Sequence, residues 1–298
     1  MKTFLIKILA ALLTIIACDV CFGFTFDYLR EKAKGGETGR TNYICDNTNE
    51  DVLIMGSSRA VHHYDPNIIT DSLGMNCYNC GYDGNGIILN YGLYKMLSKR
   101  YNPKVIVYEI TSAFDLLKGD NKRFLKIMRP FYNRTGIDSI FFNVDETEKF
   151  KNISHMYRYN TSFTQVLRDS FVPKGKNDKG YKPSDKRMEY EPVVNEDYDA
   201  VYEYDDLKLS YLKRFIIDCR RNGTKLIFVL SPSYKKTIDR EFMSLYDICK
   251  EYGIPFFNHY CDYNFVNNKD YFYDSVHMNR IGATKYTELI VSELKEVL

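Results

Sequence analysis

Short apolar runs alternating with helical stretches constrain this chain more than any other feature. VLIMG at 52–56, VIVYEI at 105–110 and KLIFVL at 225–230 are apolar almost throughout. A strand that is apolar along its whole length must be covered on both faces, as in a parallel sheet. Cys77-Tyr78-Asn79 and residues 255–258 read as two shorter strands. Between them, 66–73, 87–99, 207–221, 238–251 and 280–298 read as helices. Asn222-Gly223 stops one of these and Gly253 caps another. Strand–helix alternation predicts an α/β fold of about five parallel strands, with helices on both faces and right-handed crossovers. Ligands of such sheets bind beyond the carboxyl ends of the strands.

Residues 116–205 break the alternation, and an interruption of that length exceeds an ordinary loop. It reads as an insertion after the third strand that builds a lid or one wall of a cleft. Within it, 174–187 is mainly basic, whereas 189–206 holds eight acids and no base. The alternative for this charged part is a disordered, solvent-facing excursion. At 298 residues and 45% hydrophobic, the chain can build a large core. A net charge of +2 excludes a strongly electrostatic nucleic-acid binder as the leading reading.

The N-terminus has the shape of an export segment. Lys2 and Lys7 form a basic front, and 8–17 is an uncharged run, apolar but for Thr14. Asp19 interrupts a hydrophobic stretch from Phe4 to Phe24, which is just long enough to cross a bilayer as an uncleaved anchor. Ile15-Ile16-Ala17-Cys18 is a loose lipoprotein box, so cleavage and retention are both open. The basic residues precede the span, so the bulk of the chain faces outward. The expected division is an anchor at 1–24, then an α/β domain at 25–298 interrupted by 116–205. The chain is read as exported and membrane-tethered.

Cysteine spacing gives no metal site. Cys77-x-x-Cys80 has no second pair, and the remaining thiols are read as buried and free, with one disulfide left open. His62-His63 lacks carboxylate or Cys partners at ligand spacing and reads as structural, as do His155 and His259. No GxGxxG or P-loop Lys follows the first strand, so a nucleotide or flavin site is a poor reading. No metal or organic cofactor is expected.

Two motifs carry the chemistry. Gly56-Ser57-Ser58-Arg59-Ala60 directly follows the first strand, and Asp274-Ser275-Val276-His277-Met278-Asn279 precedes the last helix. A serine at a strand–helix turn projects its hydroxyl at the open edge of the sheet, beside free helix N–H groups. Gly56 permits the tight turn. Asp and His three residues apart can fold back in a single turn, so the carboxylate can hold the imidazole tautomer or the serine while His takes the hydroxyl proton.

The strand–GSSRA block, Gly84 after the second strand, and DSVH near the end resemble the SGNH (GDSL-like) hydrolase superfamily, in particular extracytoplasmic members linked to cell-surface polysaccharide esters. The resemblance spans about 50–115 and 206–298. It implies a flavodoxin-like three-layer α/β/α sandwich, with Ser58 as nucleophile and Asp274 and His277 completing a triad. It also implies an oxyanion hole from the N–H groups of Ser58 and Gly84, aided by Asn85 or Ser112. The family's G-x-N-D block is not matched. Glu109-Ile110-Thr111-Ser112-Ala113-Phe114-Asp115 stands in its place without an Asn, as in membrane-linked acyl-transfer relatives. The reading is a serine-dependent esterase or O-acyltransferase acting on an acylated glycan. The alternative is a non-catalytic glycan binder that keeps the fold.

Ser57 is expected to cap the following helix. Arg59 either pairs with an acid near the cleft or faces solvent, and it is a candidate for substrate contact with Ser112 and Asp115. Asp115 can bind substrate hydroxyls or cap the next segment, with the cap favoured. The aromatic run 151–160 reads either as a sugar-binding wall or as ordinary packing of the insertion, with packing favoured.

Overall fold

Strands β1 (Val52–Gly56), β2 (Cys77–Asn79), β3 (Val105–Glu109), β4 (Lys225–Leu230) and β5 (Phe256–Asn258) form one sheet in the computed structural model of the chain. The order is β2-β1-β3-β4-β5, and every pairing is parallel. This is the α/β arrangement expected from the alternating pattern. Its order reverses between β1 and β3, so the ends of these two strands bound the crevice where such sheets bind ligands. The structure describes residues 1–172, 179–193, 196 and 198–298. Parts of the basic and acidic stretches at 174–187 and 189–206 therefore lie outside the described residues.

Both faces of the sheet are covered, which is why its strands are continuously apolar. Val52, Ile54, Val107 and Val229 face a buried cluster with Tyr64, Ile69, Tyr286 and Ile290. Tyr64 directly follows the helix Ser58–His63, and the others come from the helices Pro66–Leu73 and Arg280–Val297. On the opposite face Tyr108 meets the rings of Phe215 and Phe228, and Phe215 meets Tyr94. Phe215 and Tyr94 belong to the helices Asp206–Arg221 and Ile87–Leu97. Burying one such large side chain stabilises the fold by roughly 1.5–3 kcal/mol.

The chain divides into two compact units. Thr48–Asp120 with Asn177–Leu298 contains the sheet, and Met1–Asn47 with Asn121–Lys176 is a separate unit. The described elements of that second body are all helical. They include Lys2–Lys32, Gly36–Asp46, Asp138–Val144, His155–Tyr159 and Phe163–Asp169. Residues 25–47, expected within the α/β domain, thus join a helical unit built around the N-terminal helix. The part of the insertion at 179–193 belongs instead to the sheet unit.

Candidate active site

β1 ends at Gly56, whose φ of +136° suits glycine alone. A Cβ there would stand 2.4 Å from the Glu109 carbonyl oxygen of β3. The close approach of the two strand ends turns the chain sharply into the helix Ser58–His63. Ser57 occupies the N-cap position, but its hydroxyl makes no cap. Ser57 Oγ instead lies 2.6 Å from Thr111 Oγ1, across the crevice between β1 and β3. This corrects the expected cap: the buried hydroxyl is nearer a partner on the neighbouring strand end than its own helix.

Ser58 opens the helix and is half-buried. Its Oγ lies 2.7 Å from His277 Nε2. His277 Nδ1 lies 2.9 Å from Asp274 Oδ2 and 3.1 Å from Oδ1. With Nδ1–H donating to the carboxylate, Nε2 is left to accept the Ser58 proton. Two segments more than 200 positions apart in sequence therefore meet in one hydrogen-bonded chain.

The local fold of 272–278 explains how this is held. Asp274 Oδ1 accepts from the backbone N–H groups of Val276 (2.8 Å) and His277 (2.7 Å), which folds the segment back on itself. The Ser275 carbonyl accepts from Tyr234 N and Ser233 Oγ. Tyr273 stacks on the His277 ring with centroids 5.5 Å apart and planes 11° from parallel. His62 meets that ring edge-on at 5.5 Å. Burial alone would raise the Asp274 carboxyl; the hydrogen bond and charge of His277, with the Val276 and His277 amides, outweigh it and hold Asp274 below the ordinary range. The carboxylate thus stays ionised where it must orient an imidazole.

A second, fully buried set lies beneath. Glu109 at the end of β3 pairs with Arg59, Nε to Oε1 3.1 Å. Glu109 also accepts from Ser231 N, Ser231 Oγ and Tyr64 OH. Ser231 Oγ lies 2.8 Å from His63 Nδ1, and His63 Nε2 accepts the Met278 N–H at 3.0 Å. Burial, with the charges of His277, Arg59 and His62, holds His63 well below the ordinary imidazole value, so it is neutral and can accept that bond. Burial raises Glu109, against the opposing pull of Arg59, Tyr64 and Ser231. This network ties β3, β4 and the helix Ser58–His63 to the residue immediately after His277. An acid partner for Arg59 is one of the two readings of the sequence, but sequence reasoning missed Glu109 and the rest of the network. The available signal was a glutamate at the end of an otherwise apolar strand, which demands a buried cation.

Four candidates for direct substrate or oxyanion contact are bonded within the protein, Arg59 inside this network and the others outside it. Arg59 is 3% exposed; besides Glu109 it donates to the carbonyls of Ser231 and Ile110. Its substrate-binding role is corrected to a structural ion pair. Asp115 is fully buried and accepts from Tyr108 OH and Thr111 N. Burial pushes its carboxyl up to about 7, against the bonds from Thr111 and Tyr108. It secures its own segment and does not face a ligand. Ser112 gives its hydroxyl proton to Glu241 Oε1 at 3.0 Å. Asn85 spends its N–H on the Tyr82 carbonyl and its amide on the Asp83 carbonyl. Gly84 occupies the intervening turn at φ +66°.

The remaining histidines are bonded within their own units. His62 Nδ1 meets the Lys182 carbonyl at 2.6 Å, and its Nε2 pairs with Asp83. His259 meets Tyr286 OH and Glu293. His155 meets Asp19. No group of three or more His, Cys, Asp or Glu among the described residues is placed to hold a metal ion. Arg158 of the aromatic run 151–160 donates to the Asn152 carbonyl, and the Tyr159 ring packs on Phe26.

The chain matches no family model and no curated protein. Among solved structures, it is similar to an acetyl xylan esterase at 14% identity and a TM-score of 0.41, covering 81% of this chain and 98% of that one. A Bacteroides fragilis protein described as an acylhydrolase matches at 13% identity and 0.40, covering 85% and 89%. A family two carbohydrate esterase from Clostridium thermocellum, in complex with cellohexaose, matches at 11% and 0.39, covering 82% of this chain and 63% of its own.

Proposed function

We propose that the protein is a serine-dependent ester hydrolase or O-acyltransferase acting on a cell-surface carbohydrate ester, with acetyl as the acyl group. The observation that carries this reading is the bond from Ser58 Oγ to His277 Nε2, with Asp274 on the other ring nitrogen. Ser58 Oγ attacks the ester carbonyl as its proton passes to His277 Nε2. The tetrahedral intermediate carries its negative charge on the former carbonyl oxygen. Collapse breaks the bond to the sugar oxygen, which takes the proton from His277, and the acyl group remains on Ser58. Water or a second sugar hydroxyl then gives its proton to His277 and attacks the acyl-enzyme. Release of the acid or the new ester restores Ser58. Asp274 fixes the imidazole tautomer throughout.

The oxyanion donors in this reading are the backbone N–H groups of Ser58, at the first turn of its helix, and Gly84. Without an Asn after β3, the hole lacks one side-chain donor. Loss of such a donor costs about 10²–10³ in rate elsewhere. Segment 179–193 borders the site through the Lys182 bonds to His62 and Asp83. The carbohydrate assignment follows from the resemblance of the GSSRA, Gly84 and DSVH blocks. The helix Lys2–Lys32 is long and apolar enough to cross a membrane, which supports a site on the extracytoplasmic side in this reading.

Acetate release from an aryl acetate by the wild-type chain and Ser58→Ala tests this. Loss of release in the variant is expected; equal rates would remove Ser58 from the mechanism. Glycan binding without release by the wild type would favour the non-catalytic binder.

A further inference from the structure

The helix Lys2–Lys32 changes character at Asp19. Residues 1–18 are exposed all round, with Phe4, Leu9, Leu13 and Ile16 each more than half exposed. The hydroxyl of Thr14 is satisfied within the helix by the Ala10 carbonyl at 2.9 Å. A helix that is apolar on every side is a membrane span or a core helix, and among the described residues this part is covered by nothing in its unit.

From Asp19 onward a single stripe takes over: Asp19, Phe22, Gly23, Phe26, Asp27 and Arg30, spaced alternately three and one apart. Every member of that stripe is used. Asp19 Oδ1 accepts from Ser154 Oγ (2.6 Å) and Met156 N (2.9 Å), and Oδ2 accepts from His155 N (2.8 Å) and lies 3.1 Å from His155 Nδ1. The carboxylate therefore satisfies the opening amides of the helix His155–Tyr159. Gly23 allows contact with His155, since a Cβ would stand 2.5 Å from that ring. Phe22 and Phe26 pack on Tyr159, whose hydroxyl donates to Asp27. Arg30 donates to Asn42 Oδ1, and Asn42 Nδ2 donates back to the Arg30 carbonyl.

We infer that the export segment is not removed: residues 2–18 are a retained, lipid-embedded span, and 19–32 of the same helix are a structural member of the helical unit, joined to the inserted segment through Asp19. The occupant of the exposed apolar surface is a lipid bilayer. Residues 2–18 extend about 25 Å at ~1.5 Å per residue, close to the ~30 Å hydrocarbon core, at the short end of spanning lengths. Lys2 and Lys7 can carry their charged ends to the headgroups along their apolar stems. Cleavage after Asp19 would delete the cap of His155–Tyr159, and cleavage after Gly23 would also delete Phe22 and Gly23 from its packing. The insertion between β3 and β4 thus grips the anchor, independently of the proposed ester chemistry.

The test uses the full chain with a C-terminal tag, expressed in a bacterial host. The intact mass of the membrane-extracted protein is expected to match a chain that retains the N-terminal segment. The protein should resist alkaline carbonate and yield only to detergent. A lipidated chain beginning at Cys18, a mature chain beginning beyond it, or release of the full chain by carbonate would each overturn the inference. Carbonate release would mean that a second copy or another protein covers the apolar surface. In Asp19→Ala, amide exchange at 155–157 is expected to quicken roughly three- to thirty-fold, whereas unchanged exchange would overturn the role of Asp19. If that variant does not accumulate, Asp19→Asn, which keeps one acceptor oxygen, gives the same readout.

Discussion

Ser58, His277 and Asp274 lie partly exposed, whereas Ser231, His63 and Glu109 lie beneath them with no exposed surface. Both sets contain a serine, a histidine and an acid, and both are continuous chains of hydrogen bonds. The order differs. In the outer set the imidazole stands between carboxylate and hydroxyl, so the hydroxyl proton has a base to go to. In the inner set the hydroxyl stands between imidazole and carboxylate, and the imidazole's other nitrogen already accepts the Met278 N–H. Residue type alone does not make a nucleophile. In the proposed mechanism connectivity and an open side decide it, and the closed set holds the open one in place.

The largest expected effect is on the outer set. Ser58→Ala or His277→Ala is expected to lower the rate of aryl acetate cleavage by at least about 10³-fold with the melting temperature little changed. A large rate loss in Ser231→Ala with normal stability would reverse the roles of the two serines.

Next in size is the inner set's response. Glu109→Gln leaves the buried Arg59 without its counter-charge, and a loss of about 3–5 kcal/mol in unfolding free energy is expected from denaturant titration. A variant as stable as wild type would show that the pair contributes nothing to holding the site.

Asp115 gives a pH signature outside both sets. Its folded value is raised to about 7, so between pH ~4 and 7 the native chain holds a proton that the unfolded chain has lost. Stability therefore falls as pH rises through that window and levels off above it, with a contribution of up to about 1.4 kcal/mol per pH unit. Comparing unfolding curves of wild type and Asp115→Asn across this range should show the slope in wild type only; parallel curves would contradict it. The smallest expected effect is Ser57→Ala, which removes one buried hydroxyl contact to Thr111 and costs about 1 kcal/mol with the rate unchanged. A rate loss like that of Ser58→Ala would move Ser57 into the reacting set.

The strands were legible because continuous apolar runs between glycines and prolines leave a parallel sheet as the economical solution. Val52–Gly56 and Lys225–Leu230 span the residues read from sequence. The fifth strand begins at Phe256 rather than Pro255, which has no N–H for the ladder, although its carbonyl accepts from Phe228. The helix read at 238–251 opens with a tighter turn at Arg240–Phe242 before Met243–Tyr252. The helices of the insertion were not legible. Asp138–Val144 and His155–Tyr159 are too short to show a period, and the partners of His155–Tyr159 lie on an N-terminal helix over a hundred residues away. The placement of Ser58 beside His277 followed from topology and motif. The commitments of Arg59, Ser112 and Asp115 did not, because a polar residue near a strand end reads alike whether it faces a ligand or a buried partner.

Covalent labelling with a fluorophosphonate, followed by peptide mapping in wild type and His277→Ala, addresses the activated hydroxyl most directly. A single adduct on Ser58 in the wild type, formed far more slowly when His277 is replaced, is the expected result. An unlabelled protein, an adduct on another serine, or equal labelling of both proteins would contradict it.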